Sequence, residues 1–318
     1  MGSAIWHENG ESIPSPFTGT VRPTPTSMQK FVQRFAPFTG PDFEATVAAD
    51  VARALAEDVG SGDLTAALVP PEREARARVL AREPAVLCGA PWVQATFQRV
   101  VPGGALVWRV AEGQRCQADE VVFEMSGPAQ QLLTAERTML NFLQLLSGVA
   151  TRTAQFVDAV AGTRAQIVDT RKTLPGLRVA QKYAVAMGGG TNHRMGLYDA
   201  ILVKENHIAA AGGVAAVLAQ AQRAAPQAKF VEIEVERLDQ LKEALDCGAT
   251  MVLLDNMDLP TLRQAVELNA GRAILEISGG VSMDTVRALA ETGVDRISIG
   301  GLTKDVKATD YSMRFEGI

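Results

Sequence analysis

From about residue 165 onward, short apolar runs recur, each closing on a polar residue or a glycine. They are Gln166-Ile-Val-Asp169, Ala200-Ile-Leu-Val-Lys204, Phe230-Val-Glu-Ile-Glu234, Met251-Val-Leu-Leu-Asp255, Ala273-Ile-Leu-Glu-Ile-Ser278 and Arg296-Ile-Ser-Ile-Gly300. Their closing positions fall 21 to 35 residues apart, room for one strand, one helix and two loops. The stretches 214–223, 238–244, 259–268 and 284–292 carry apolar residues at helical spacing. Repeated βα units demand a parallel sheet, and six of them predict a barrel or open barrel. A doubly wound sheet is the alternative, weakened in its dinucleotide-binding form because no GxGxxG opens the first βα turn.

Upstream, strands and helices come in blocks, which predicts a separate α+β unit. Phe43, Val47, Val51, Ala54 and Leu55 share one helical face, with Asp42 as N-cap candidate. The runs 75–80, 105–110 and 120–125 read as strands, with Gly113-Gln114 turning between the last two. Leu132 to Ser147 reads as a helix with a broad buried face. Residues 1–40 hold Pro14, Pro16, Pro23 and Pro25 among Ser, Thr and Gly without sustained periodicity, the pattern of an extended or disordered arm.

Composition narrows the function classes. The 318 residues carry 31 Lys and Arg against 36 Asp and Glu, a net charge of −5, with only 5% aromatics. A sequence-independent nucleic-acid binder is basic and stacks bases on aromatic rings, so that class is excluded. No apolar run approaches the ~20 residues of a membrane-spanning helix, and the first residues lack the basic start and apolar stretch of a secretory signal. Cys88, Cys116 and Cys247 are odd in number and widely spaced, which predicts neither disulfides nor a zinc site and points to the cytoplasm. The charge is unevenly spread. Between Asp169 and His207 six cations meet three acids, a local +3 that suits a small anionic ligand.

In βα barrels the loops after the strands converge on one mouth. Here the strand ends read Asp169, Lys204, Glu234, Asp255, Ser278 and Gly300, a cation on one side and two carboxylates further round. Arg171 and Lys172 follow the first run directly. An arginine fork matches a carboxylate, and a lysine supplies a compact charge for phosphate or carboxylate. Gly188-Gly-Gly-Thr-Asn-His-Arg194 adds a flexible turn and donors, His193 among them. The pairs Gly279-Gly280, after Ser278, and Gly300-Gly301 suit phosphate held by backbone N–H groups near a helix start. Taken singly, these residues also read as solvated loop positions, a surface histidine and tight turns. Together they describe a ligand with carboxylates and a phosphorylated, Mg²⁺-associated ribose.

The ordered motifs resemble one known family. Asp169-Thr-Arg-Lys-Thr-Leu-Pro-Gly-Leu-Arg178, Lys182-Tyr-Ala-Val, Gly188-Gly-Gly-x-Asn-His-Arg194, Lys204-Glu-Asn-His207, Glu232-x-Glu234, Leu254-Asp-Asn256, Glu276-Ile-Ser-Gly-Gly280 and Gly293-Val-Asp-x-Ile-Ser298 are similar to those of quinolinate phosphoribosyltransferase. Glu57-Asp-Val-Gly-x-Gly-Asp-Leu-Thr65 and Leu133-Thr-Ala-Glu-Arg-Thr138 extend the likeness upstream, to about residue 42.

The resemblance implies an α/β fold: an N-terminal α/β sandwich at 41–140, rejoined by the tail 307–318, and an open, incomplete TIM-like barrel at 141–306. It implies a cytoplasmic homodimer joining quinolinate to phosphoribosyl pyrophosphate, with nicotinate mononucleotide, pyrophosphate and CO₂ as products. Arg171, His193, Arg194 and Lys204 are then placed to contact the pyridine dicarboxylate, joined by Arg137 from the neighbouring subunit. Lys172, Glu234 and Asp255 are assigned to catalysis at the phosphoribosyl pyrophosphate, the two carboxylates holding its Mg²⁺ largely through substrate or water. Ser278, Gly279, Gly280, Gly300 and Gly301 hold the 5′-phosphate.

The chain departs from the family pattern in carrying Thr303-Lys304-Asp305 where Thr-His-Ser is common. Three other readings stand beside the resemblance. One is a scaffold relative acting on another acidic acceptor or in metal uptake. Another is a Schiff-base aldolase using Lys204. The third is a non-catalytic module that binds phosphorylated sugars.

Overall fold

The computed structural model describes residues 36–316. Residues 1–35, most of the expected arm, lie outside the described residues. Its last five residues do not behave as an arm: Ala36–Phe38 form a 3₁₀ turn, and Phe38 is buried edge-on against Phe43. The helix Pro41–Asp58 follows, with Gly40 rather than Asp42 at its N-cap. Pro41 explains the shift, since its fixed φ and missing N–H favour the first helical position and move Asp42 into the first turn.

The chain divides into two compact units, one running to Thr151 and resuming at Lys307, the other Arg152–Val306. In the first, β1 (Glu74–Ala81), β3 (Ala105–Trp108), β5 (Val121–Pro128) and β12 (Tyr311–Glu316) form an antiparallel sheet in the order β12-β1-β5-β3. The returning strand pairs in register along β1, from Arg76 opposite Glu316 to Ala81 opposite Tyr311. A two-residue ribbon joins β2 (Ala85–Val86) to β4 (Arg115–Cys116). The helix Ala90–Val100 had no counterpart among the sequence expectations, and it buries Trp92, Val93 and Phe97. The helix expected at 132–147 runs from Ala129 to Ala159, and the division between units falls inside it, not at residue 140.

In the second unit the six expected strands are β6 (Gln166–Val168), β7 (Ile201–Val203), β8 (Val231–Val235), β9 (Met251–Asp255), β10 (Ile274–Ser278) and β11 (Arg296–Ser298). They pair in parallel in the order β6-β11-β10-β9-β8-β7. β6 and β7 are not paired with each other, so the barrel is open. On the free side of β6, Thr191 bridges Val168 and exchanges backbone hydrogen bonds with Ile167 and Asp169. Among the described residues no helix is long and apolar enough to cross a membrane.

Candidate active site

Strand register sorts the barrel residues onto two faces. Ile233 lies opposite Val252, Val252 opposite Leu275, and Ile277 opposite Ile297. These residues, with Val235 and Leu254, are all buried. The other face carries Glu232 and Glu234 on β8, Asp255 on β9, Glu276 and Ser278 on β10, and Arg296 and Ser298 on β11. Parallel strands buried on both faces are usually near-continuous apolar runs. Here one face is polar: Glu232, Glu276 and Arg296 form a lower layer, Asp255 and Ser278 an upper one, and Glu234 shares the register row of Leu253 and Glu276.

The two carboxylates of the lower layer are closed off from solvent, and Arg296 is partly buried beside them. His193 Nε2 lies 2.8 Å from Glu232 Oε2 and 3.7 Å from Glu276 Oε1. Arg296 Nε stands 2.9 Å from Glu276 Oε2, an ion pair without hydrogen-bond alignment. Burial pushes both carboxyls up to about 7; Arg296 opposes the rise at each, and the second carboxylate adds to it at Glu276. Burial also holds His193 below the ordinary histidine range.

Asp169 and Lys182 do not face the mouth, contrary to the strand-end reading of Asp169 and to counting Lys182 in the local +3. Both are fully buried and paired with each other. Burial drives the Asp169 carboxyl up and the Lys182 ammonium down, each shift opposed by the partner's charge. Asp169 also accepts from Asn192 Nδ2 at 2.6 Å and from the His193 N–H at 2.8 Å, while Lys182 donates to the His193 carbonyl at 3.1 Å. The pair is thus a buried post for the 191–194 loop. Arg178, another cation of that segment, clamps backbone through the Arg171 and Met195 carbonyls.

The remaining predicted residues are distributed as follows. Arg194 is buried, its guanidinium donating to the Ala200 carbonyl at 3.2 Å; burial and the charge of Arg171 lower its pKa. Lys204, half exposed, bonds Glu234 Oε2 at 2.9 Å. Glu234 lies opposite Leu253, two positions below Asp255 on the same face, and Asp255 lies opposite Ser278. Gly279 and Gly280 both take positive φ in the turn after β10. The helix Met283–Ala290 that follows is already capped by Ser282, its capping box closed by Thr285. Arg137 is exposed on the helix Ala129–Ala159, within the other unit. Lys304 pairs with its neighbour Asp305 at 3.3 Å, which offsets its charge locally.

Lys172 is exposed, and among the described residues its ammonium has no ion-pair partner. Its backbone is fixed by Thr170 and by Thr303, whose hydroxyl donates to the Lys172 carbonyl at 2.8 Å. Its side chain passes over Gly300, where an added Cβ would lie 2.9 Å from Lys172 Cδ. Gly300 has an ordinary φ of −65°, so alanine fits the backbone and the strain falls on the flexible lysine. Gly300→Ala is therefore expected to leave the melting temperature within a few degrees of wild type while displacing Lys172, with activity falling roughly ten- to hundredfold. Thermal denaturation and steady-state kinetics on one preparation check this; full activity would mean the lysine's position is not set here.

Sequence reasoning singled out the upper layer and missed the roles of Glu232, Glu276, Arg296 and the Asp169–Lys182 pair. A signal was present for Glu232 and Glu276, because a charged residue between two apolar ones in a strand buried on both faces already points to an interior partner.

An open parallel barrel with cations and carboxylates gathered at its strand ends, carried with a mainly antiparallel unit, is the architecture the resemblance implied for a two-domain phosphoribosyltransferase. The family model described as quinolinate phosphoribosyl transferase, N-terminal domain, matches residues 63–147, and that for the C-terminal domain matches 149–314. The chain belongs to the quinolinate phosphoribosyltransferase family. The carboxylating nicotinate-nucleotide pyrophosphorylase of Mycobacterium leprae is 42% identical over 280 residues, covering 86% of this chain and 98% of its own. The mitochondrial decarboxylating quinolinate phosphoribosyltransferase 2b of Nicotiana tabacum is 39% identical over 283 residues, 83% of this chain and 80% of its own. The solved nicotinate-nucleotide pyrophosphorylase of Francisella tularensis superposes with a TM-score of 0.84 at 40% identity, over 87% of this chain and 98% of that one.

Proposed function

We propose that the chain transfers the phosphoribosyl group of phosphoribosyl pyrophosphate to quinolinate with loss of CO₂, giving nicotinate mononucleotide and pyrophosphate for NAD biosynthesis. The observation that carries this reading is the cluster of charge at the strand ends, where Arg194 reaches the carbonyl of Ala200 beside β7, Lys204 pairs with Glu234 on β8, and Asp255 closes the neighbouring β9. The guanidiniums of Arg171 and Arg194 suit the acceptor's two carboxylates, and Lys172 suits a phosphate of the donor. As pyrophosphate leaves, the ribose carbon becomes cationic, and the carboxylates Glu234 and Asp255 stabilise it. The new bond to the pyridine nitrogen quaternises it, so the carbanion left by CO₂ is stabilised within the ring until it takes a proton from water to form the product's C–H bond. The cations position the acceptor and match its charge; no proton transfer is asked of them.

The residues fit Mg²⁺. Glu234 and Asp255 share a face two positions apart on neighbouring strands, and among the described residues they join no third metal-ligating group in a cage. Mg²⁺ keeps several waters and takes one or two carboxylates plus substrate phosphates, so an incomplete protein site suits it. When bound, the ion would neutralise the leaving pyrophosphate. Glu234 would then share its carboxylate between Lys204 and the metal's shell.

The reading includes a cytoplasmic homodimer in which each Arg137 serves the partner's acceptor subsite. Arg137 is exposed, and the chain's three cysteines are free thiols, which suits a reducing compartment. Purified protein with quinolinate, phosphoribosyl pyrophosphate and Mg²⁺ should release pyrophosphate and nicotinate mononucleotide in equal amounts, and absence of both would overturn the assignment. Mixing inactive Arg137→Ala and Lys172→Ala subunits one to one should restore about a quarter of wild-type activity, since half the dimers carry one intact site of two. No recovery, with mixed dimers shown to form, would place Arg137 outside a shared site.

A further inference from the structure

Both ring nitrogens of His193 are already engaged within the protein. Nδ1 lies 2.8 Å from the backbone nitrogen of Arg194, which can only donate, so Nδ1 carries a lone pair. The neutral ring then holds its proton on Nε2, which donates to Glu232 Oε2. The ring is buried and stands edge-on to Phe230 at 5.2 Å, so it has little room to turn.

We propose that Glu232 is a positioning residue for the acceptor subsite: it fixes the tautomer and plane of His193, and that ring fixes the main chain from which Arg194 reaches the acceptor. In this arrangement His193 gives no bond to the substrate, a different role from the one its resemblance to the family motif implies. Glu276 and Arg296 stand beside the pair in the lower layer, with Arg296 balancing charge at Glu276. The same three groups, His193, Glu232 and Glu276, are close enough to surround a cation. The tautomer argues against one, because a metal would need the Nε2 lone pair that the proton occupies.

The inference rests on the reading of Arg194 as an acceptor ligand. Glu232→Leu should raise KM for quinolinate roughly ten- to hundredfold, while KM for phosphoribosyl pyrophosphate stays within about twofold. Glu232→Gln retains an oxygen at the same reach to accept from Nε2 and should remain within about threefold of wild type in both constants. Equal damage in the two variants, or parallel rises in both KM values, would overturn the proposal.

A second measurement needs no substitution at Glu232 and stands even if the leucine variant fails to fold. The chain has three histidines, so ¹⁵N-histidine spectra can be assigned by substituting His7 and His207. His193 should show a bare Nδ1 and a protonated Nε2, unchanged on saturation with quinolinate. A proton on Nδ1, or an Nε2 resonance that moves to a new partner as quinolinate binds, would sink the idea. If wild type does not turn quinolinate over, the functional reading fails, whereas the spectrum still decides the ring.

Discussion

Replacing Lys172 with alanine lowers pyrophosphate release roughly a hundred- to a thousandfold and leaves the melting temperature nearly unchanged, the cost expected when one preorganised charged donor is lost. The fold tolerates the change because the residue is anchored through its backbone. Its N–H bonds Thr170 and its carbonyl accepts from Thr303, and alanine retains both. The side chain is exposed and passes over Gly300, with no acidic partner among the described residues to be stranded by its removal. Activity does not tolerate it, because the Lys172 ammonium is left uncommitted by the protein, whereas Arg178 and Lys182 on the following helix are spent on backbone carbonyls and on Asp169. Steady-state kinetics with circular dichroism on the same sample checks both halves. A variant that is folded and retains more than about a tenth of wild-type kcat/KM would remove Lys172 from the donor side of the reaction.

What the sequence carried, and what it did not, follows from the range of the interactions. The six barrel strands were readable because each is a local apolar run closed by a polar residue, and their observed limits lie within a residue or two of the runs. The mouth was readable for the same reason, since Lys204, Glu234, Asp255 and Ser278 sit at or beside strand ends. The lower layer was not. Glu232 meets His193 across 39 residues of chain, and Arg296 meets Glu276 only through the pairing of β10 with β11. No local period records such partners, so Asp169 and Lys182 read as mouth charges although each neutralises the other in the interior. The helix Ala90–Val100 was hidden differently: Pro91 near its start and Trp92, Val93 and Phe97 on its buried face make a short, uneven stripe. Its apolar face is fixed by packing in the first unit, where Trp92 stacks on Phe142 and donates to Asp50.

Lys182→Met should be the most destabilising single change in the barrel unit, lowering unfolding free energy by about 3–5 kcal/mol, the cost of stripping one partner from a buried ion pair. Against a typical total of about 5–15 kcal/mol, that is a large share of the protein's stability. Methionine fills most of the lysine's volume, so the loss is chiefly electrostatic. Asp169 remains fully buried without its counter-charge, and the His193 carbonyl loses its donor. The companion test is Asp169→Asn with Lys182→Met. An asparagine oxygen can still accept from the His193 N–H at the position where Asp169 does now, and no uncompensated charge is left inside. The double variant should therefore recover roughly 1–2 kcal/mol relative to Lys182→Met alone, which denaturant midpoints at constant m-value would reveal. Its activity should stay low, because the post under the 191–194 loop holds Arg194 in place as well as holding the fold together. A double variant no more stable than the sum of the two single changes would mean that the pair is not coupled, and that the loop is held by its backbone hydrogen bonds alone.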